Sequence, residues 1–235
     1  NKAIRESGDD YFYKGSYKVG INNIAKTLKY FGFGSKTGID LKGEKIGVVP
    51  NKQWKKENMN RSWYIGETFL SSIGQGNTLS TPLQVHQYTS NIASAKFSKP
   101  HFVTKIGNKY IEQNSTKIDD KSYLRSLRSI RRAMYQACNY PSGTGYKYVR
   151  SSKRTMACKT GTAQVVSIAQ NIKKRLKEYE LDYFKRSHAW FSAYVPFKKP
   201  KYAITVLVEH GGHGSSNGEL ASKLVNFMDE NNYFN

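Results

Sequence analysis

Apolar residues return along the chain on two different periods, and each change of period marks an element. Ile21, Ile24, Ala25, Leu28 and Phe31, preceded by Val19, recur at helical spacing and stop at Gly32, which predicts an amphipathic helix closed by a glycine. Thr81 as N-cap, Pro82 at the first helical position and Gln84 three residues after the cap predict a helix running to about Ala95, with Leu83, Tyr88, Ile92 and Ala95 turned inward. His86 on that helix reads as a polar-face or core histidine. Asp119 or Asp120 caps a third helix, with Leu124, Leu127, Ile130 and Met134 inside and Arg125, Arg128, Arg131 and Arg132 forming a solvated face. Leu220, Ala221, Leu224, Val225 and Met228 predict a closing helix. Pro50 to Glu57 reads as a short helix anchored by Trp54, and Trp63 to Thr68 as irregular chain.

Elsewhere the period falls to two. Phe102 to Ile106 and Tyr110-Ile111 predict a hairpin about Gly107-Asn108. His188 to Val195 and Tyr202 to Glu209 predict two strands joined antiparallel through Pro196 to Pro200. Between them and the third helix, Pro141-Ser142-Gly143-Thr144-Gly145 breaks the chain and delivers it to Thr155–Val165. Ala169 to Arg186 is a charged excursion, too poor in apolar residues for deep core, and His210 to Ser216 a loop. Paired histidines there lack a third ligand at a useful spacing, so the metal expectation is none.

With 235 residues, 38% of them hydrophobic, the chain can bury a core and fits one domain better than two. No run approaches the roughly 20 apolar residues that span a bilayer, and the opening Asn1-Lys2-Ala3-Ile4 suggests a fragment of something longer. Thirty-eight Lys and Arg against 17 Asp and Glu give a formal charge of +21, compatible with any polyanion or anionic membrane surface. The cations are scattered, and no zinc-finger, G-x-x-G or RNA-recognition pattern accompanies them, so nucleic acid is not expected. Cys138 and Cys158 read as small buried hydrophobes, a bridge being the less favoured alternative.

The stretch Thr155–Val165 carries the chemistry. On a strand, Lys159 and Gly161 face one side while Thr160 and Thr162 face the other, and the glycine lets a ligand backbone approach. A cation, two hydroxyls and free backbone N–H groups suit a carboxylate. Ser7-Gly8-Asp9 before Tyr11-Phe12-Tyr13 has two readings: a helix cap, or a hydroxyl and a short polar side chain aimed at a cleft.

These motifs occur together and in order: Ser7-x-Asp9; Phe31-Gly32-Phe33-Gly34 with Thr37 to Leu41; Ser72-Ile73-Gly74-Gln75-Gly76 with Thr81-Pro82-Leu83-Gln84; Lys159-Thr160-Gly161-Thr162-Ala163-Gln164; and Glu209-His210-Gly211-Gly212. Over nearly the whole chain this resembles the transpeptidase domain of class B penicillin-binding proteins, most closely the cell-elongation type called penicillin-binding protein 2. The resemblance implies an α/β fold with a five-stranded antiparallel sheet between helices. Residues 1–235 would be the C-terminal part of that one domain, and the strand around Lys159 would form the inner edge of the cleft.

It also implies a serine D,D-transpeptidase that cross-links peptidoglycan stem peptides and is trapped by β-lactams, without a cofactor. Ser7 would relay a proton and Asp9, where many relatives carry Asn, would line the substrate amide. Lys159 would supply positive potential, and Thr160, Gly161, Thr162 and Gln164 would bind substrate, the Thr162 N–H serving as an oxyanion donor. Implied partners are elongation-complex membrane proteins, a glycosyltransferase and a periplasmic scaffold. The implied location is the periplasmic face of the bacterial inner membrane, with an N-terminal anchor absent here. No serine in the chain is followed by lysine three residues on, and only Thr144 with Lys147 has a hydroxyl at that spacing. The nucleophile, its lysine base, the second oxyanion donor and the first strands of the sheet are therefore expected before Asn1. Alternatives are a β-lactamase or D,D-carboxypeptidase of the same fold, and a non-catalytic basic binding module.

Overall fold

A computed structural model describes residues 1–112, 114–166 and 176–235. In chain order the helices are α1 (Lys2–Arg5), α2 (Asp9–Val19), α3 (Ile21–Tyr30), α4 (Lys52–Met59), α5 (Ile65–Ser72), α6 (Pro82–Ser94), α7 (Lys121–Asn139), α8 (Tyr146–Val149) and α9 (Asn217–Glu230). The strands are β1 (Lys96–Ser98), β2 (Lys105–Ile106), β3 (Lys109–Tyr110), β4 (Ser115–Lys117), β5 (Ala157–Ala163), β6 (His188–Val195) and β7 (Tyr202–Val208). The chain divides into two compact units, one of residues 8–128 and one of residues 1–7 with 129–235. Among the described residues no helix is long and apolar enough to cross a membrane.

The 8–128 unit is helical and leans on polar bonds. Gly20, at φ +76°, ends α2 and starts α3, so Val19 belongs to the earlier helix and is 49% exposed rather than core. The predicted cap of α6 forms as the sequence indicates: Thr81 accepts from the Gln84 N–H at 3.1 Å, and the Gln84 carboxamide accepts from the Thr81 N–H at 3.0 Å. Gln84, only 2% exposed, also donates to the carbonyls of Ser35 and Ile46, each at 2.8 Å, so one buried amide fixes two loops. Tyr30, Phe31, Phe97 and Tyr123 form a ring cluster, with Tyr30 and Tyr123 stacked at 4.5 Å.

Two further expectations fail in this unit. Trp63–Thr68 is not irregular, because α5 begins at Ile65, where Glu67 reaches back to accept from the Tyr64 N–H at 2.9 Å. In α4 the buried residue is Lys55 rather than Trp54, and its ammonium is held by Glu67 at 2.5 Å. A charge that leaves water needs such a partner. The Gly107-Asn108 hairpin is present, with strands only two residues long, and β1 pairs antiparallel with β4. Asp120, not Asp119, caps α7 by accepting from the N–H groups of Ser122 and Tyr123.

The other unit is built on a sheet ordered β5-β6-β7, antiparallel throughout. Its core contains Cys138, Met156, Cys158, Phe191, Val195, Ala221 and Val225, closed on one side by α9. The inward face of α9 consists of Asn217, Gly218, Ala221, Ser222 and Val225, whereas Leu220 and Leu224 are 51% and 45% exposed, contrary to the sequence reading. The period of 3.6 marks a stripe without saying which edge of it is covered. Cys138 and Cys158 form a disulfide with Cα atoms 5.6 Å apart, joining the last turn of α7 to β5. Periodicity places the two cysteines on different elements but carries no inter-element geometry, so the sequence preference for unpaired thiols was overturned. Of the charged excursion, residues 169–175 lie outside the described residues, while Glu178–Glu180 and Tyr183–Lys185 make single 3-10 turns.

Candidate active site

Strand β5 has a neighbour on one side only among the described strands, with Lys159 opposite Ser192, Thr160 opposite Phe191, Gly161 opposite Trp190 and Thr162 opposite Ala189. Its start is buried at Ala157 and Cys158, and its middle, from Lys159 to Ala163, is half-buried. An edge strand offers unpaired backbone donors and acceptors to an extended peptide. Here that edge carries a cation and two hydroxyls.

The Lys159 ammonium donates to the Thr160 carbonyl at 2.6 Å and to the Ser7 hydroxyl at 2.9 Å. Ser7 follows α1 and holds a left-handed backbone at φ +55°, uncommon for a residue with a side chain. The helix-cap reading of Ser7 and Asp9 does not hold: Gly8 is the N-cap of α2, and no side chain caps it. The Ser7 hydroxyl is instead on Lys159. Immediately before it, the Arg5 guanidinium is bonded to Glu6 at 2.5 Å and holds that carboxyl below its ordinary value.

The hydroxyl of Thr160 donates to that of Thr144 at 2.9 Å, and the hydroxyl of Thr162 accepts from the Gly214 N–H at 3.3 Å. Gly214 can make that bond because it has no Cβ, which would lie 1.9 Å from the Gly161 carbonyl oxygen. The loop after β7 is thus laid against β5, as a glycine-rich stretch permits. Also in this loop, the His210 N–H donates to His188 Nδ1 at 2.9 Å. Among the described residues no cluster of three or more His, Cys, Asp or Glu is placed to hold a metal ion.

Ser7, Lys159, Thr160, Gly161 and Thr162 therefore share one unit, the first two side chains in direct contact. Gln164 lies just past the end of β5 and is exposed, and Asp9 is the exposed first residue of α2 in the other unit. Sequence reasoning missed Thr144 and Gly214. Each sits in a glycine-flanked loop, the only signal available, and a loop does not announce which strand it touches.

A family model, "Penicillin binding protein transpeptidase domain", matches residues 1–226. The peptidoglycan D,D-transpeptidase MrdA of Haemophilus influenzae is 35% identical over 233 residues, covering 97% of this chain and 36% of that protein. The chain thus spans about a third of the length of the curated relatives it matches. The structure of penicillin-binding protein PBP2 of Helicobacter pylori, solved in complex with MreC, is similar with a TM-score of 0.88 and 46% identity over 99% of this chain and 40% of that one. PBP2 of Pseudomonas aeruginosa is similar with a TM-score of 0.77 and 29% identity, over 94% and 45%. With the family's motifs in order and the strand around Lys159 at the edge of an antiparallel sheet, the chain belongs to the penicillin-binding protein transpeptidase family, as part of a domain of the PBP2/MrdA type.

Proposed function

We propose that this chain is the carboxylate-binding half of a D,D-transpeptidase site that cross-links peptidoglycan stem peptides during cell elongation. The observation that carries the reading is the Ser7–Lys159 contact of 2.9 Å beside two threonine hydroxyls on a half-buried edge strand. The terminal carboxylate of a stem peptide, or of a β-lactam, meets the Lys159 field and the hydroxyls of Thr160 and Thr162, a charge-assisted arrangement stronger than neutral bonds. The peptide backbone lies along β5, and the Thr162 N–H stabilises the oxyanion as the carbonyl is attacked. Gly161 keeps that edge low, while Gln164 contacts a more distant substrate amide.

The serine and lysine of the S-x-x-K pair come from another stretch of the full-length protein. The serine oxygen bonds to the carbonyl carbon of the penultimate D-alanine, and the bond to the terminal D-alanine nitrogen breaks. The serine proton passes by way of the base and the Ser7 hydroxyl to that leaving amine. The amine of a second stem then attacks the acyl carbon, the ester bond to the serine oxygen breaks, and the amine's proton returns to that oxygen. A β-lactam follows the first half of this path and stays attached. No cofactor enters. The protein then works on the periplasmic face of the inner membrane, residues 1–235 forming part of a single transpeptidase domain. Its partners are a glycosyltransferase and a periplasmic scaffold protein; the similar Helicobacter pylori protein was solved in complex with MreC.

Full-length protein incubated with a fluorescent penicillin tests this. A covalent label that persists for many minutes is expected. Rapid loss of the label would point to a hydrolase of the same fold, and no label on folded protein would end the reading.

A further inference from the structure

The turn between α7 and α8 touches both members of the Ser7–Lys159 pair's surroundings, and Thr144 is where it does so. Its backbone N–H donates to the Arg5 carbonyl at 3.2 Å, two residues before Ser7, and its hydroxyl accepts from Thr160 at 2.9 Å. A neighbouring contact holds the same segment, since the Arg5 guanidinium lies over the Tyr140 ring at 5.8 Å. The turn itself has no room to shift. A Cβ on Gly143 would lie 2.3 Å from the Ala137 carbonyl, and one on Gly145 would lie 2.7 Å from the Cys158 sulfur, so the Thr144 backbone is seated against the end of α7 and the disulfide.

We propose that Thr144 is a positioning residue that sets the Thr160 hydroxyl for the incoming carboxylate and, through its N–H, keeps the Ser7 segment beside strand β5. The inference rests on the reading of Thr160 as a carboxylate ligand. Without substrate the Thr160 proton is directed at Thr144. A carboxylate accepts that proton by rotation about the Cβ–Oγ bond of Thr160, and Thr144 then donates its own proton to the same oxygen, so the pair stays joined with the bond reversed. Only a hydroxyl can serve in both directions. Valine fills the same space and keeps the backbone N–H but cannot hold Thr160, whereas serine can.

The test is the second-order rate of acylation of the full-length protein by a fluorescent penicillin, with a double-mutant cycle on Thr160. Thr144→Val is expected to slow acylation about five- to tenfold, Thr144→Ser to stay within about twofold, and the double variant Thr144→Val with Thr160→Val to match Thr160→Val alone. Thr144→Ala repeats the comparison if the valine variant does not fold. A wild-type rate in Thr144→Val, or losses that simply multiply in the double variant, would overturn the proposal while leaving the transpeptidase reading intact. A wild-type rate in Thr160→Val would overturn both.

Discussion

The two units hold themselves together by different means. In residues 8–128 a single buried amide, Gln84, carries three hydrogen bonds to loops and a cap, Lys55 is paired to Glu67, and rings cluster around Phe31. In the unit of residues 1–7 and 129–235, a three-stranded sheet packs on α9 and a disulfide closes its core directly behind Lys159. The difference teaches where the chemistry sits. The cation and hydroxyls are mounted on the part whose geometry is set by ladder hydrogen bonds, packing and a covalent bridge, the kind of support that holds a charge-binding group in place.

The contrast breaks first at Phe191, fully buried and opposite Thr160 in β6. Phe191→Ala is expected to cost about 3–5 kcal/mol. Peptide-resolved hydrogen exchange on the full-length protein should show protection lost across β5, β6 and β7 while α6 is little changed. Equal loss in both units would mean that they do not differ as described. Replacing Cys138 and Cys158 together by alanine should cost about 3 kcal/mol for a loop of this size, with exchange rising at the end of α7 and in β5. A variant as stable as the parent would show that the bridge adds nothing to the strand's support.

Smaller effects sharpen the other side. Thr81→Ala removes one arm of the α6 capping box and should cost about 1 kcal/mol, read as a shift in the urea midpoint and as faster exchange in the first turn of α6. His86, also on α6, is held below its ordinary value of 6.5 by burial. The unfolded chain then binds a proton before the folded one does, so its contribution is fully present above about pH 6.5 and is lost as the pH falls through the lower folded value. His86→Leu should flatten that limb of a stability–pH curve, and an unchanged slope would exclude the histidine as its source.

Much of this was legible before any coordinates. α6 could be read to the residue because its cap, its N1 proline and its capping box are all local chemistry. Strand β6 announced itself by its length and aromatic residues and β7 by its β-branched run, and the motif order pointed to Lys159 and Ser7. What stayed hidden was long-range. The Cys138–Cys158 bridge, the Gln84 hub and the Thr144–Thr160 bond all join residues on different elements, which no period encodes. The start of α5 escaped for the opposite reason: Tyr64 is a poor cap by type, and only the return of Glu67 to its N–H reveals the helix.

The central claim is that the ammonium on β5 serves the acylation site, and its most direct test is the rate at which full-length Lys159→Ala protein reacts with a fluorescent penicillin. Removing the charge and its hydrogen bond to Ser7 should slow acylation about a hundredfold, with the melting temperature within a few degrees of the parent. Labelling at the parental rate would contradict the account.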